Sequence, residues 1–321
     1  NCCVPRRSMR NPQGKPIFKH GISDMSNTST TDTFLQQQHM LRRLAYRMLG
    51  SVSLAEDAVQ ETWLRWHAID PAGIDVPQAW LVTTLSRTCI DELRSARHQR
   101  ELYASPWLPE PLASDDCANP ATAAERHSDI SMAFLLLLER LSPEERVAFL
   151  LQEIFDNDYR NIAQIMDKSE PACRQLVHRA RQRLRQDKPR FQADATRRQE
   201  LLQLFAGALF SSDARALLSA LAPDVTLISD GGGKVKAASK PVHGPRAVSR
   251  LLLGTRKLQA ADSYILFREI NGEPGIAGYH SDGTLFFIMQ IAADQQGGID
   301  GIYIVNNPDK LAAMQAGVWR E

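Results

Sequence analysis

The stretch that most restricts what this chain can fold into is residues 158–185, DYRNIAQIMDKSEPACRQLVHRARQRLR. Asp158 stands where an N-cap is expected, and Ile162, Ala163 and Met166 follow at helical spacing. DKS forms the turn. Ser169 then caps a second helix with Pro171 near its start, where a missing N–H costs nothing. Cys173, Leu176, Val177 and Ala180 make an inward stripe, and Arg174, Gln175, His178, Arg179, Arg181 and Arg183 point elsewhere. Two helices joined by a tight turn, the second one basic, predict a helix-turn-helix. A purely structural helical hairpin is the plainer alternative, but capping, turn length and charge all favour the first reading.

Charge is concentrated in the same place. The formal net charge of the 321 residues is +1, yet from Lys168 to Arg198 ten Lys and Arg stand against three acids, whereas from Gln199 to the end there are eleven bases and twelve acids. A basic block inside a neutral protein points to a polyanion met by one segment. In a major groove, Arg174 and Gln175 would lie over base edges, with bidentate geometry for guanine and adenine. Arg179, Arg181, Arg183 and Arg185 would meet phosphate and set register. The five cysteines include the adjacent pair Cys2 and Cys3 but no C-x-x-C spacing, so neither a disulfide framework nor a zinc site is expected. No apolar run, that around Phe134–Leu138 included, approaches the roughly 20 residues of a bilayer span. With no secretory h-region at the start, a cytoplasmic location is expected.

Upstream, residues 1–32 are polar and aperiodic and read as disordered, with Met9 or Met25 as candidate natural starts. A first helical unit, 33–102, opens on a capping box from Thr33 to Gln36; Gly50 ends its first helix and Ser53-x-x-Glu56 caps the next. SLAEDAVQETWLRW puts Ala55, Val59, Trp63 and Trp66 on one stripe and leaves Glu56, Asp57, Gln60 and Glu61 outside; Trp63 reads as core. A long helix from about Gln78 to Glu101 carries Leu81, Leu85, Cys89 and Leu93 inward, with Arg87, Arg94, Arg97 and Arg100 toward its basic end. A Pro-rich linker, 103–127, contains the apolar knot WLPEPL. The second helical unit, 128–190, holds the helix-turn-helix and a capping box in LSPEER, Ser142 to Glu145.

From 196 to 321 the character changes. Helices at Arg198–Leu209 and Asp213–Leu221 precede DVTLIS, and then come GPRAVSRLLLG, SYILFREI, IAGYH, TLFFIMQIA and GIDGIYIVN, β-rich runs bounded by Gly, Asp and Asn. Helices followed by a curved antiparallel sheet predict an α+β cone. DGGGK, residues 230–234, lacks the G-x-x-x-x-G-K-[ST] spacing and the following helix of a nucleotide loop. A flexible hairpin and a contact loop stay open. Asp224, His243, His280 and Asp282 are the acid-base candidates of the cone, but none forms a recognisable pair.

LAEDAVQETWLRW with PQAWLVTTLSRTCIDELRSARHQRE is similar to the second conserved region of bacterial extracytoplasmic-function (ECF) sigma factors. LSPEERVAFLLQEIFDNDYRNIAQIMDKSEPACRQLVHRARQRLR resembles their fourth region, and the two cover roughly residues 34–188. WLPEPL, DGGGK and NPDKL resemble the SigJ-type subgroup, whose C-terminal extension has a SnoaL-like (NTF2-like) fold. The fold this implies is two all-α domains, sigma regions 2 and 4, followed by an α+β SnoaL-like cone. The implied function is an alternative sigma factor that binds core RNA polymerase, recognises −35 and −10 promoter elements and catalyses nothing itself.

By position, Glu56, Asp57, Gln60 and Glu61 match the helix that docks on the β′ clamp helices, and region 4 would meet the β flap. Loop 67–77 and helix 78–101 match the part that opens the −10 element, with Arg87, Arg94, Arg97 and Arg100 holding backbone. Ser169, Arg174, Gln175, His178, Arg179 and Arg183 match the −35 reader. Trp107, Leu108 and Pro109 of the linker, Asp230, Gly231, Gly232, Gly233 and Lys234, and Asn307, Pro308, Asp309 and Lys310 would form a regulatory contact, with Asp230 and Lys234 engaging the linker. No cofactor, metal or separate zinc anti-sigma factor is implied, and a small molecule could occupy the cone. The alternative is a helix-turn-helix regulator with a ligand-sensing or enzymatic SnoaL-like domain.

Overall fold

The computed structural model describes residues 30–69, 73–101, 103, 106–112, 131–186, 195–294 and 296–316. Residues 1–29 of the segment expected to be disordered, the linker beyond Leu112 and residues 187–194 lie outside this set, while residues 30–32, also expected to be disordered, begin the first helix. The chain divides into two compact units, one drawn from residues 1–95 and 141–182 and the other from 96–140 and 183–321.

The first unit is helical. Helix α1 (Thr30–Leu49) already includes Thr33 and Gln36, so the expected capping box does not form there. Gly50 takes φ 65 and ends α1. The next extended residue is Ser51, and it, not Ser53, caps α2 (Val52–His67), its hydroxyl accepting from the Leu54 amide at 3.3 Å. Side chains on the two sides of the cap pack inward: Leu41, Leu44, Met48, Ala55, Ala58 and Val59 are buried. The tryptophan at the centre is Trp66, fully buried and 5.5 Å from the Trp80 ring, whereas Trp63 is half-buried against Phe34 and His67. Helix α3 (Pro77–Glu101) buries Leu81, Leu85, Cys89 and Leu93 at the expected spacing.

Past α4 (Met132–Leu138) come α5 (Pro143–Glu153), α6 (Tyr159–Met166) and α7 (Glu170–Gln186). The Ser142–Glu145 capping box is complete. Arg146, only 2 % exposed, donates to the Met48 carbonyl at 2.8 Å and so satisfies an end group of α1 from α5.

The second unit is built around an α+β domain. Helices α8 (Ala195–Phe210) and α9 (Ala214–Ala220) lead into β1 (Leu221–Asp230) and β2 (Val242–His243). Then follow α10 (Pro245–Arg256), β3 (Tyr264–Ile270), β4 (Glu273–Tyr279), β5 (Leu285–Ala293), β6 (Ile299–Val305) and α11 (Pro308–Ala316). The sheet order is β2-β1-β6-β5-β4-β3. It is mixed, not antiparallel as expected, because β1 and β6 run parallel and are joined through everything between them.

GPRAVSRLLLG is a helix, not a β-run. Gly244 (φ 83) leads in, Pro245 takes the first position, and Val248 and Leu252 are buried one turn apart. Helices α8, α9 and α10 close one face of the sheet over Leu202, Phe205, Leu217, Val225, Ile276 and Ile302. The opposite face is also covered. There Leu108 of WLPEPL, Met132 of α4 and Leu311 of α11 pack on Ile270, Ala277, Leu285, Ile288 and Val305.

Candidate nucleic-acid interface and linker clamp

Residues 158–185 form two helices with a tight turn. Asp158 accepts from the Asn161 amide at 2.8 Å, Asp167 turns left-handed (φ 52, ψ 49) and ends α6, and Ser169 accepts from the Ala172 amide at 3.3 Å. Cys173, Leu176, Val177 and Ala180 are buried, which turns Arg174, Gln175 and His178 outward. The Ser169 hydroxyl is occupied by its capping role. The arginines, alike in sequence, separate by environment. Arg174 lies 4.6 Å above the Tyr159 ring and 3.5 Å from the Glu170 carboxylate, still exposed at the start of α7. Arg179 instead donates to Glu145 at 3.0 Å, a carboxylate whose side chain is only 3 % exposed and which also closes the capping box. Arg181 is bound to Glu153. Arg183 is exposed further along α7.

The basic end of α3 is engaged within the same unit. Arg87 donates to the carbonyls of Ile165 at 3.0 Å and Gln164 at 3.3 Å, at the C-terminus of α6, where the helix dipole favours a cation. Arg94 contacts Asp91 at 3.3 Å and Glu144 at 2.5 Å. Burial alone would raise the Glu144 carboxyl, but the Arg94 hydrogen bond, a backbone hydrogen bond and the charges of Arg94 and Lys168 together outweigh it and hold the group below the ordinary carboxylate range. The side chains of Arg97 and Arg100 lie outside the described residues. On α2, Asp57 and Gln60 are exposed, Glu56 and Glu61 half-buried, and Glu61 accepts from Arg65 at 2.8 Å.

In the second unit the DGGGK segment meets the linker through one buried carboxylate. Asp230, fully buried, accepts through Oδ1 from the Tyr103 hydroxyl and the Gly232 amide, both at 2.9 Å. Its Oδ2 accepts from the Leu108 amide at 2.9 Å and Lys310 Nζ at 2.7 Å. Lys310 also donates to the Leu108 carbonyl and sits 4.2 Å from the centre of the Trp107 ring. Asn307 donates to the Tyr103 hydroxyl at 2.9 Å. Gly232 has φ 64, and a Cβ there would stand 2.4 Å from Asn307, so both the turn and the contact need glycine. Lys234 pairs with Asp309 at 2.6 Å and makes no contact with the described residues of the linker. Pro109 is buried beside Leu108, Gly231 and Gly233 complete the turn, and Pro308 starts α11.

Sequence reading misses two members of this cluster. Tyr103 lies in the linker with nothing around it to signal a role. Asn271 binds the far end of WLPEPL in both directions, its amide donating to the Leu112 carbonyl at 2.8 Å and its Oδ1 accepting from the Leu112 amide at 3.0 Å. The available signal is Asn-Gly at a hairpin turn, which announces the turn but not what docks on it. Among the acid-base candidates, His243 meets Thr226 at 3.1 Å and Asp282 accepts from the Thr284 amide at 2.8 Å, both exposed. No group of three or more His, Cys, Asp or Glu among the described residues could hold a metal ion. No helix among them is long and apolar enough to cross a membrane.

A helix-turn-helix whose second helix is basic and exposed, in a chain that also carries an α+β domain, is the arrangement of a DNA-binding transcription factor. Residues 34–99 match Sigma-70 region 2, and residues 131–184 match Sigma-70, region 4. The chain is 35% identical over 290 residues to the ECF RNA polymerase sigma factor SigJ of Mycobacterium tuberculosis, covering 86% of this chain and 90% of that protein. It is 28% identical over 275 residues to the probable ECF sigma factor SigI of the same species, covering 85% of this chain and 91% of the relative. The crystal structure of M. tuberculosis SigJ superimposes with a TM-score of 0.70 at 31% identity, over 88% of this chain and 98% of that one. The chain belongs to the ECF RNA polymerase sigma factors. It is a promoter-recognising factor that works with core RNA polymerase in transcription initiation, and that role is not enzymatic.

Proposed function

We propose that the α+β domain regulates this sigma factor by holding the linker that joins regions 2 and 4. The observation that carries the reading is the Asp230 carboxylate, which receives two linker donors, Tyr103 and Leu108, together with Lys310. A buried charge with all these partners fixes a short stretch of chain firmly, because leaving any one of them unpaired is costly. Holding the linker sets how far the two promoter-binding regions can separate.

In this reading Arg174, Gln175 and His178 read the −35 element, Arg183 meets phosphate, and Asp57 and Gln60 with Glu56 and Glu61 dock on the β′ clamp helices. Arg87 and Arg94 bind the −10 strand only after releasing Gln164, Ile165 and Glu144. Extruding a base costs a few kcal/mol, which the polymerase–sigma complex offsets by binding it.

A defined transcription assay with core polymerase tests the proposal, comparing the full chain, a truncation near Arg190 and Asp230→Ala. Truncation and Asp230→Ala should change promoter output in the same direction. Equal output from all three, with the Asp230→Ala protein folded, overturns regulation through the linker.

A further inference from the structure

The outermost strand of the sheet, β3, carries features that the sigma function does not use. It ends the strand order, with β4 as its neighbour. Tyr264, Leu266 and Phe267 are 44%, 40% and 42% exposed, a run of large apolar side chains on an edge of the kind that natural proteins shield or pair. The β3–β4 turn is Asn271-Gly272 with φ 52 and 71, a two-residue turn closed by Ile270 opposite Glu273. Hydrogen-bonding direction alternates along an antiparallel strand. Ile270, Arg268, Leu266 and Tyr264 therefore direct their backbone groups toward β4, and Ile265 and Phe267 direct theirs to the edge that no described strand covers.

From this we infer that β3 is a self-pairing edge through which two copies of the chain join antiparallel, on a two-fold axis at Leu266. In that register Ile265 of one copy faces Phe267 of the other, so outward backbone groups meet outward backbone groups. Arg268 stands opposite the partner copy's tyrosine at position 264, whose ring is already stacked on Tyr279 at 5.4 Å, and two arginine–tyrosine contacts form. Shifting the axis to Arg268 would put like charges face to face, which disfavours that pairing. The occupant argued for is a second copy, since in this register the strand sets apolar residues opposite apolar ones and an arginine opposite a tyrosine.

Sedimentation of the full chain over a wide concentration range tests this. The expected result is a doubling of mass as concentration rises, lost in Leu266→Lys with unchanged melting. A monomer at every concentration, or a dimer that survives Leu266→Lys, overturns the proposal. Leu266→Cys supplies a second measurement that does not depend on the lysine variant folding. Facing Cβ atoms at such a position lie about 4.5–5.5 Å apart, within reach of a disulfide after slight adjustment. Mild oxidation should cross-link Leu266→Cys into dimers well beyond the wild type, whose own cysteines set the background, and beyond Leu258→Cys. Equal cross-linking of all three overturns the register.

Discussion

Two charged clusters of this molecule contrast instructively. At the start of α7, Arg174 is exposed, supported by a ring and a carboxylate but held by neither against water. Around Asp230 the charges are sealed, with side-chain exposures of 7% for Lys310 and 0% for Asp230. The same residue chemistry gives opposite mechanical properties. Exposed pairs exchange partners at little cost, as a DNA reader must, whereas a buried pair resists separation because either charge alone would be stranded in a poor solvent.

The largest effect that would test this contrast is at the buried cluster. Asp230→Ala leaves Lys310 buried without its carboxylate and should cost about 3–5 kcal/mol of stability, read by denaturant unfolding. Replacing Asp230 by Asn and Lys310 by Met together should recover part of that loss, because both charges are then removed. A loss below about 1 kcal/mol for Asp230→Ala would place the cluster with surface pairs.

Next comes Arg174, the proposed reader of the −35 element. Arg174→Ala should cost about 1–3 kcal/mol of discrimination at one or two base pairs of the −35 element, measured by competition binding, with stability almost unchanged. Tyr159→Ala should lose part of the same discrimination and Tyr159→Phe should retain it, since the ring face and not the hydroxyl supports the guanidinium.

A smaller effect is expected at Glu273. Burial raises its carboxyl above the ordinary range, and the Arg198 charge opposes that only in part. The folded state therefore keeps this proton after the unfolded chain has lost it, so stability falls as pH rises from the ordinary carboxylate range through the raised folded value. Glu273→Gln should flatten that slope and raise the melting temperature at neutral pH. The smallest effect belongs to the surface pair of exposed Arg94 and half-buried Glu144: Glu144→Ala should cost roughly 0.2–1 kcal/mol of stability, less in high salt.

Much of the helical part is legible because its signals are local. The Asp158 and Ser142 caps, the turn before Ser169 and the stripe from Cys173 to Ala180 each involve residues a few positions apart. Errors arise where two local candidates compete, as with Ser51 and Ser53, or where an apolar run suits both periods, as with GPRAVSRLLLG. In the clamp, resemblance pairs Asp230 with the linker, but Lys234 pairs with Asp309, and Tyr103 and Asn271 give no signal of their contacts.

By itself, the sequence determined the helices of the helical part, most of their inward faces and the basic character of α7, because these depend on backbone periodicity and on neighbours within one or two turns. Only the tertiary structure decided that Arg179 serves a buried glutamate while Arg174 stays exposed, that β1 runs parallel to β6, and that Asp230 is sealed beneath the linker. Each of those outcomes depends on which distant residue excludes water from a charged group or completes a backbone ladder, and no local spacing encodes that.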